Sequence, residues 1–367
     1  MKECLILIVE DDNHAIDSWK RDITDYNDEQ EQGEMQFSPL FACTLEEAVK
    51  SLDRTRVNCA VIDIRIPRGA NDTNSLADTH GNNVLEKLLI ESGIPAVVYS
   101  AYSAEVSDIV RSSNITIHSK TGGGAEKILR LLASQKPLMS AMESTRKKMA
   151  IESARIFNGS IWKRWQNTWK SVDDKEMIAS MITRQIASHV ADQLGLPPAS
   201  HHPDEFYIIP PLFSERLDTG DLLRREGIVY AVVTPRCNLA NGITPNYLTL
   251  AQCNLMENEW NELKEKFFSG KKGEISAATR LRNYAIQNHS LSTHFIPPCD
   301  DDGPWLVDFR ETIAVPSNES NSLIAGRFAS ISSQFVPNLV QRYAAYLGRI
   351  GQPDIDCDVL RKQVCQS

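Results

Sequence analysis

Short apolar runs alternate with amphipathic stretches along residues 1–133. Runs such as "CLILIV" and "CAVIDI" are typical of buried strands, whereas "HAIDSWKRDITDY" places Ile16, Trp19 and Ile23 near helical spacing. The stretch "TLEEAVKSL" begins with a threonine cap and acidic residues, which is a helix-start signal. The strand–helix alternation repeats five times. It predicts an α/β fold, a doubly wound (βα)5 domain with a five-stranded parallel sheet.

The pattern changes after residue 133. Residues 134–198 are compatible with helix almost throughout, with interruptions expected at Asn158-Gly159 and near Asp173, which could cap the next helix. We predict a helical connector or dimerisation segment here, ending at Pro197-Pro198.

Residues 199–367 contain shorter apolar runs separated by turns, among them "EFYIIPPL", "GIVYAVVTP", "PWLVDF" and "TIAVP". We predict an α+β, β-rich output domain in which a helical insert spans residues 256–288. Residues 321–350 are predicted to be helical, forming a C-terminal helix. The predicted domains are therefore 1–133, 134–198 and 199–367.

The composition is that of an ordinary soluble globular protein, with 42% hydrophobic and 24% charged residues. No apolar run approaches the length of a membrane helix, and the first run ends in three acidic residues, unlike a signal peptide. The eight cysteines are scattered without a CxxC pair, which favours reduced thiols. We therefore expect a cytoplasmic protein without a membrane partner.

The acidic excess lies entirely in the first third of the chain. Residues 1–130 contain 13 Lys and Arg against 22 Asp and Glu, a net charge of −9, whereas the remainder contains 26 of each. Because phosphate contacts need Lys and Arg, this argues against nucleic-acid binding by the first third. No helix-turn-helix signature is recognisable in the rest, so a nucleic-acid partner is not expected.

Polar residues follow the predicted strands of the first domain. Glu10 and Asp11 follow the first strand, Asp63 the third, Ser100 ends the fourth and Lys120 follows the fifth. In a parallel sheet ordered 2-1-3-4-5, the carboxyl ends of these four strands are neighbours. The five side chains are therefore predicted to converge on one pocket.

This set of residue types suits phosphoryl transfer. Three close carboxylates need a neutralising cation, and Mg²⁺ accepts one or two carboxylates together with waters and a phosphoryl group. Lys120 and Ser100 could contact the equatorial phosphoryl oxygens. Asp63 is then the predicted nucleophile, which would form an aspartyl phosphate.

The same residues resemble the receiver domain of two-component response regulators. The acidic pair of that family matches Glu10 and Asp11 in "ILIVEDD", and its phosphoacceptor matches Asp63 in "VIDIRIP". Its Ser-Ala pair matches Ser100 and the following alanine, and its strand-five lysine matches Lys120. The resemblance implies a bacterial phosphorelay protein, Mg²⁺ held by Glu10, Asp11 and Asp63, and a histidine kinase or histidine-kinase-like ATPase as partner.

Three departures from the family pattern are visible. About a dozen extra residues, "RGANDTNSLADTH" at 68–80, follow the phosphoacceptor region. Lys120 is followed by Thr121 rather than proline, and Ile117 occupies the position of the aromatic switch residue. We therefore expect the phosphorylated state to be detected in a way that does not depend on aromatic rotation.

Two further motifs allow several interpretations. Trp162, Trp165 and Trp169 share one helical face, which favours core packing, with a homodimer or docking surface and nucleic-acid stacking as alternatives.

Cys237 follows a predicted buried strand, and His289, His294 and Cys299 could join it. The spacing is not a zinc signature, so structural roles are favoured over a metal site or a catalytic cysteine.

Taken together, these patterns indicate a response-regulator-like signalling protein whose residues 199–367 act through protein–protein interaction. Two alternatives stay open. The C-terminal domain could be an enzyme controlled by the receiver, or an antiphage-defence effector by fold-level analogy. The receiver could also be an adaptor that works without phosphorylation.

Overall fold

The computed structural model describes residues 3–31, 34–70, 79–121, 124–194, 200–240, 245–299, 302–351 and 354–365. The chain divides into two compact units, Met1–Leu196 and Pro197–Ser367. Within the described residues, no helix has both the length and the apolar character that are needed to cross a membrane.

The first unit contains a five-stranded parallel sheet. Its strands are β1 (Glu3–Val9), β2 (Gln36–Ala42), β3 (Cys59–Ile62), β4 (Ala96–Ser100) and β5 (Thr116–Ser119). The spatial order is β2-β1-β3-β4-β5 and every pair is parallel. This confirms the predicted doubly wound α/β fold.

Helices of the first unit cover both faces of the sheet and continue beyond it. They are α1 (Asn13–Glu29), α2 (Leu45–Arg54), α3 (Gly81–Lys87), α4 (Asp108–Arg111), α5 (Ala125–Ser134), α6 (Lys136–Ile156), α7 (Trp162–Asn167) and α8 (Lys175–Leu194). The predicted threonine cap of α2 is confirmed, because Thr44 accepts a hydrogen bond from the backbone N–H of Glu47 at 3.1 Å. Near Asn158-Gly159 the helix continues as a single π-helical turn.

Alternation along β1 divides the core of the first unit into two layers. Cys4, Ile6 and Ile8 pack on one face of the sheet, whereas Leu7 and Val9 pack on the other, and all five are buried. Burial on both faces is what a parallel sheet with helices on each side requires.

The helical segment after α5 is part of the first compact unit. Met139 of α6 is buried in the core layer that contains Cys4. Trp169 is also buried, but Trp162 and Trp165 are 47% and 37% exposed, so core packing of the tryptophan face holds for Trp169 only. The domain limits 1–133, 134–198 and 199–367 remain a prediction.

The predicted cap of α8 at Asp173 is wrong. Asp174 performs that role, since its Oδ1 accepts hydrogen bonds from the backbone N–H groups of Glu176 and Met177.

The second unit contains a seven-stranded antiparallel sheet. Its strands are β6 (Tyr207–Ile208), β7 (Asp221–Arg225), β8 (Ile228–Val232), β9 (Tyr247–Leu255), β10 (Thr293–Ile296), β11 (Trp305–Pro316) and β12 (Arg327–Ile331). Their spatial order is β10-β11-β9-β8-β7-β12-β6. The predicted strands "PWLVDF" and "TIAVP" are one strand, β11, whose register against β9 shifts between Asp308 and Thr312.

Helices of the second unit are α9 (Arg236–Ala240), α10 (Glu257–Phe268), α11 (Lys271–Ala285), α12 (Ser320–Ala325), α13 (Val336–Leu347) and α14 (Cys357–Cys365). The predicted helical insert is confirmed as α10 and α11. The uninterrupted helix predicted over 321–350 is wrong, because β12 lies between α12 and α13 and pairs with β7. Gly326 permits this pairing, since a Cβ there would lie 2.3 Å from the carbonyl oxygen of Arg224.

Candidate functional site

The predicted site residues meet at the carboxyl-terminal edge of the first sheet. Glu10 directly follows β1, Asp63 follows β3, Ser100 ends β4 and Lys120 follows β5. The backbone fixes this arrangement, because the Asp63 N–H donates to the carbonyl oxygen of Val9 at 2.9 Å. The four strand ends are neighbours because the sheet order is the predicted one.

Asp63 is the centre of a hydrogen-bonded group. The Ser100 hydroxyl donates to Asp63 Oδ1 at 2.5 Å. The Lys120 ammonium donates to Asp63 Oδ2 at 2.5 Å and to Glu10 Oε2 at 2.6 Å. Both oxygens of Asp63 therefore accept a hydrogen bond, one from Ser100 at the end of the adjacent strand β4 and one from Lys120 after β5.

Burial and hydrogen bonding act in opposite directions on the pKa values of this group. Glu10, Asp63 and Ser100 are 2%, 7% and 0% exposed. Burial raises the pKa of Glu10, and the hydrogen bond from Lys120 only partly offsets this. For Lys120 itself, burial lowers the pKa, but the hydrogen bonds to Asp63 and Glu10 outweigh burial and the pKa is raised.

Asp11 is the predicted site residue that lies at the exposed margin of the group. Partial shielding from water, with the negative charge of Asp63 as a further contribution, raises the pKa of Asp11. Glu10, Asp11 and Asp63 thus bring three carboxylates near a single ammonium group. This excess of negative charge suits a cation.

A closed metal site is not preformed. Across the described ranges, no three His, Cys, Asp or Glu side chains are arranged to hold a metal ion. Lys120 instead bridges Glu10 and Asp63. The donor set nevertheless fits Mg²⁺, because this ion needs only one or two carboxylates and takes its other ligands from waters and a phosphoryl group.

Arg65 is a site residue that the sequence did not identify. Its backbone N–H donates to Asp63 Oδ1 at 3.3 Å, and its guanidinium pairs with Glu105 and lies 3.5 Å from the ring centroid of Tyr102. The backbone N–H of Tyr102 in turn donates to the Ser100 hydroxyl at 3.1 Å. The position of Arg65, two residues after Asp63, suggests that Arg65 lies near the site. Its side-chain partners Tyr102 and Glu105, however, lie about 40 residues further along the chain.

The base of the inserted loop is fixed beside this site. The carbonyl oxygens of Pro67 and Arg68 accept hydrogen bonds from the backbone of residues 45 and 46 at the start of α2. Ile66 and Thr79 form an isolated parallel bridge across the two ends of the loop. The prediction for loop 68–80 concerns mostly residues 71–78, which lie outside the described residues.

Gly81, at the start of α3, lies directly against the backbone of Asp63 and Ile64. A Cβ at residue 81 would lie 2.1 Å from the carbonyl oxygen of Asp63 and 2.7 Å from the Cα of Ile64. Only glycine allows this approach without a backbone shift. The glycine therefore helps to position Asp63.

The cysteine and histidine candidates of the second unit differ in their exposure to solvent. Cys237 is exposed on α9 and Cys299 is partly exposed, whereas His294 on β10 is buried. His289 exchanges a 3.1 Å hydrogen bond with the hydroxyl of Thr293. Among the described residues these side chains do not form a metal-binding group.

No protein-family model matches the chain, and no curated protein matches it. Solved structures of receiver domains do match. A CheY-like receiver domain from Methanospirillum hungatei JF-1 is 18% identical and covers 38% of this chain and 99% of its own, with a TM-score of 0.29. The receiver domain of a LuxO repressor protein from Vibrio parahaemolyticus is 13% identical, covers 39% and 97%, and has a TM-score of 0.29.

A response regulator from Thermotoga maritima, solved in complex with Mg²⁺ and BeF, also matches. It is 19% identical and covers 36% of this chain and 96% of its own, with a TM-score of 0.27. Likeness at these identities concerns the fold. The N-terminal part of this chain is similar in fold to CheY-like receiver domains, and its sheet has the corresponding five parallel strands.

Proposed function

We propose that the chain is a response-regulator-like signalling protein that accepts a phosphoryl group on Asp63. The observation that carries the proposal is the set of contacts at Asp63. Its two carboxylate oxygens accept hydrogen bonds from Ser100 and Lys120 at the edge of a parallel sheet. Such an arrangement offers an oxygen nucleophile with a hydroxyl and an ammonium group beside it.

The proposed reaction transfers a phosphoryl group from an acyl phosphate or a phosphohistidine. A carboxylate oxygen of Asp63 forms a bond to phosphorus, and the bond between phosphorus and the donor atom breaks, leaving its electron pair on the donor. The product is an aspartyl phosphate. Lys120 and Ser100 would then contact the phosphoryl oxygens and stabilise their negative charge.

The proposed ligands of Mg²⁺ are the carboxylates of Glu10, Asp11 and Asp63, of which Glu10 is buried. When bound, the ion would neutralise charge between these carboxylates and the incoming phosphoryl group. Lys120 would retain its hydrogen bond to Glu10 and orient that carboxylate.

We further propose that a histidine kinase or a histidine-kinase-like ATPase supplies the phosphoryl group. The state of Asp63 would control the output of residues 199–367 through protein–protein interaction. A homodimer through 134–198 also stays a prediction. Exposed Trp162 and Trp165 supply apolar area on that segment.

The direct test treats the full chain with acetyl phosphate and Mg²⁺ in one reaction and with a purified histidine kinase in a second. The products of both reactions are separated on a phosphate-affinity gel. We expect a shifted band for the wild-type chain and none for Asp63→Asn. Asp25→Asn is the matched control, because Asp25 is exposed on α1 away from the sheet edge.

Two results would contradict the proposal. One is an unshifted wild-type band with both donors. The other is equal shifts for the wild-type chain and Asp63→Asn, which would place the modification on another residue.

A further inference from the structure

A cavity of about 770 Å³ lies within the second unit. This volume is in the range of small-molecule sites, which is about 300–1,000 Å³. Its lining includes four aromatic rings, those of Phe206, Trp260, Phe295 and Phe335. A cavity with such walls favours a flat apolar ligand, because ring faces stack on ring faces.

One polar side chain of the wall is buried without a hydrogen-bond partner. His294 is 1% exposed, and within the described part of the chain neither of its ring nitrogens has a partner. The nearby Gln287, by contrast, is satisfied, because its amide exchanges two 2.8 Å hydrogen bonds with the backbone of Phe295. An unpartnered buried polar group is costly, so a ligand that pairs with His294 gains affinity from it.

We propose that this cavity binds an uncharged, planar aromatic molecule whose hydroxyl group hydrogen-bonds to the imidazole of His294. The site is distinct from Asp63 and does not depend on phosphorylation.

The chemistry of His294 defines the ligand class. Burial and the charge of Arg342 lower the pKa of His294 to about 3, so the imidazole is neutral at neutral pH. A neutral imidazole carries one donor and one acceptor, and a hydroxyl group can pair with either. The terminal nitrogens of the Arg342 guanidinium donate to the backbone oxygens of Gln287, Ser290 and Thr293, and its Nε is buried without a partner among the described residues. No lysine or arginine is among the described residues that line the cavity, so a carboxylate bound there would lack a directly paired cation.

The test measures binding of three probes to the full chain by isothermal titration calorimetry at neutral pH. 2-Naphthol presents two rings and a hydroxyl, naphthalene lacks the hydroxyl, and 2-naphthoate replaces it with a carboxylate. We expect one 2-naphthol per chain, bound five- to tenfold more tightly than naphthalene, since one hydrogen bond contributes about this factor. His294→Phe should reduce 2-naphthol binding to the naphthalene level without weakening naphthalene.

A second pair of variants keeps the test independent of His294→Phe folding. Ala285 is exposed and lines the cavity, whereas Ala278 is exposed on the same helix and does not. Ala285→Trp should therefore abolish 2-naphthol binding, and Ala278→Trp should retain it.

Absence of saturable 2-naphthol binding would overturn the proposal, as would unchanged binding in Ala285→Trp. Equal affinity for 2-naphthol and naphthalene would show that the proposed hydrogen bond between the ligand hydroxyl and His294 does not form. Tighter binding of 2-naphthoate would overturn the uncharged ligand class.

Discussion

Arg65 and Glu105 form a two-point ion pair between the loops that follow β3 and β4. Arg65 Nε donates to Glu105 Oε2 at 2.8 Å, and a second guanidinium nitrogen donates to the other carboxylate oxygen. The Arg65 guanidinium also lies 3.5 Å from the ring centroid of Tyr102, and the backbone N–H of Tyr102 donates to the hydroxyl of Ser100. Ser100 in turn occupies one oxygen of Asp63. The ion pair is thus connected through three contacts to the proposed phosphoacceptor.

Weakening this pair should accelerate phosphorylation of Asp63. In Arg65→Gln the loop that carries Tyr102 loses its tether, so Ser100 can leave Asp63 Oδ1 more readily. The pair is partly exposed, with side-chain exposures of 25% and 33%, so water screens it. We expect the rate with acetyl phosphate to rise about two- to fivefold, since solvent-screened ion pairs contribute roughly 0.2–1 kcal/mol. The rate is measured from the time course of the shifted band on a phosphate-affinity gel.

The control for this prediction is Arg130→Gln, which removes an exposed arginine that pairs with Glu126 on α5. The exchanged double variant Arg65→Glu with Glu105→Arg should return the rate toward that of the wild-type chain. An unchanged rate in Arg65→Gln would rule out the tether.

Gly81→Ala should destabilise the first unit. The added Cβ would lie 2.1 Å from the carbonyl oxygen of Asp63, so α3 or the end of β3 must shift. Overpacking of this kind costs about 1–3 kcal/mol. Urea unfolding followed by circular dichroism measures the change, and Gly124→Ala is the control because nothing lies within 4 Å of its added Cβ. Equal stability of the two variants would contradict the close approach.

Much of the first unit could be predicted because its signals are local. Each strand is a short apolar run, and each predicted site residue is the last residue of its strand or lies just after the strand's end. Once Asp63, Ser100 and Lys120 are placed at the ends of β3, β4 and β5, the sheet order alone brings them together. The Arg65–Glu105 pair could not be predicted in this way, because nothing near Arg65 marks a partner 40 residues away.

The second unit was harder to predict because its strands depend on distant partners. β12 lies in a stretch whose apolar spacing also suits a helix, and its strand form is stabilised by pairing with β7, about a hundred residues earlier. Likewise, the single strand β11 follows from continuous pairing with β9 across a bulge. Burial of His294 also follows from tertiary packing, which local spacing does not report.

Asp221→Asn should strongly destabilise the second unit. Asp221 and Arg327 form an ion pair at 2.8 Å, and their side chains are only 1% and 5% exposed. Removing the carboxylate charge leaves the Arg327 guanidinium buried without its counter-ion, which costs about 3–5 kcal/mol. Urea unfolding measures the loss.

The matched control for that variant is Glu262→Gln, which weakens two solvent-screened pairs, with Lys266 and with Arg280, and the expected loss is about 1 kcal/mol or less. A loss in Asp221→Asn no larger than in this control would show that the buried pair contributes little.

The stability of the second unit should fall as the pH is lowered below about 6.5. Burial and the charges of Arg342 and His289 lower the pKa of His294 to about 3, and burial lowers that of His289 to about 4. In the unfolded chain, a histidine takes up a proton near pH 6.5, its ordinary pKa. In the folded unit, His289 and His294 stay neutral until the pH is much lower. The unfolded state therefore binds more protons between the two pKa values, and stability rises with pH across this window.

For His294 alone, the free energy of unfolding should fall by about 2 kcal/mol between pH 7 and pH 5. His294→Phe removes this titrating group, so the stability of that variant should depend less on pH by the same amount. Urea unfolding at pH 5, 6, 7 and 8 gives both slopes, and His14→Gln, a change at an exposed position of α1, is the control. Parallel pH profiles for the wild-type chain and His294→Phe would mean that His294 is protonated, or accessible to water, in the folded unit. Such a result would also contradict the premise of the aromatic ligand site, which is that the imidazole of His294 is neutral and shielded from water.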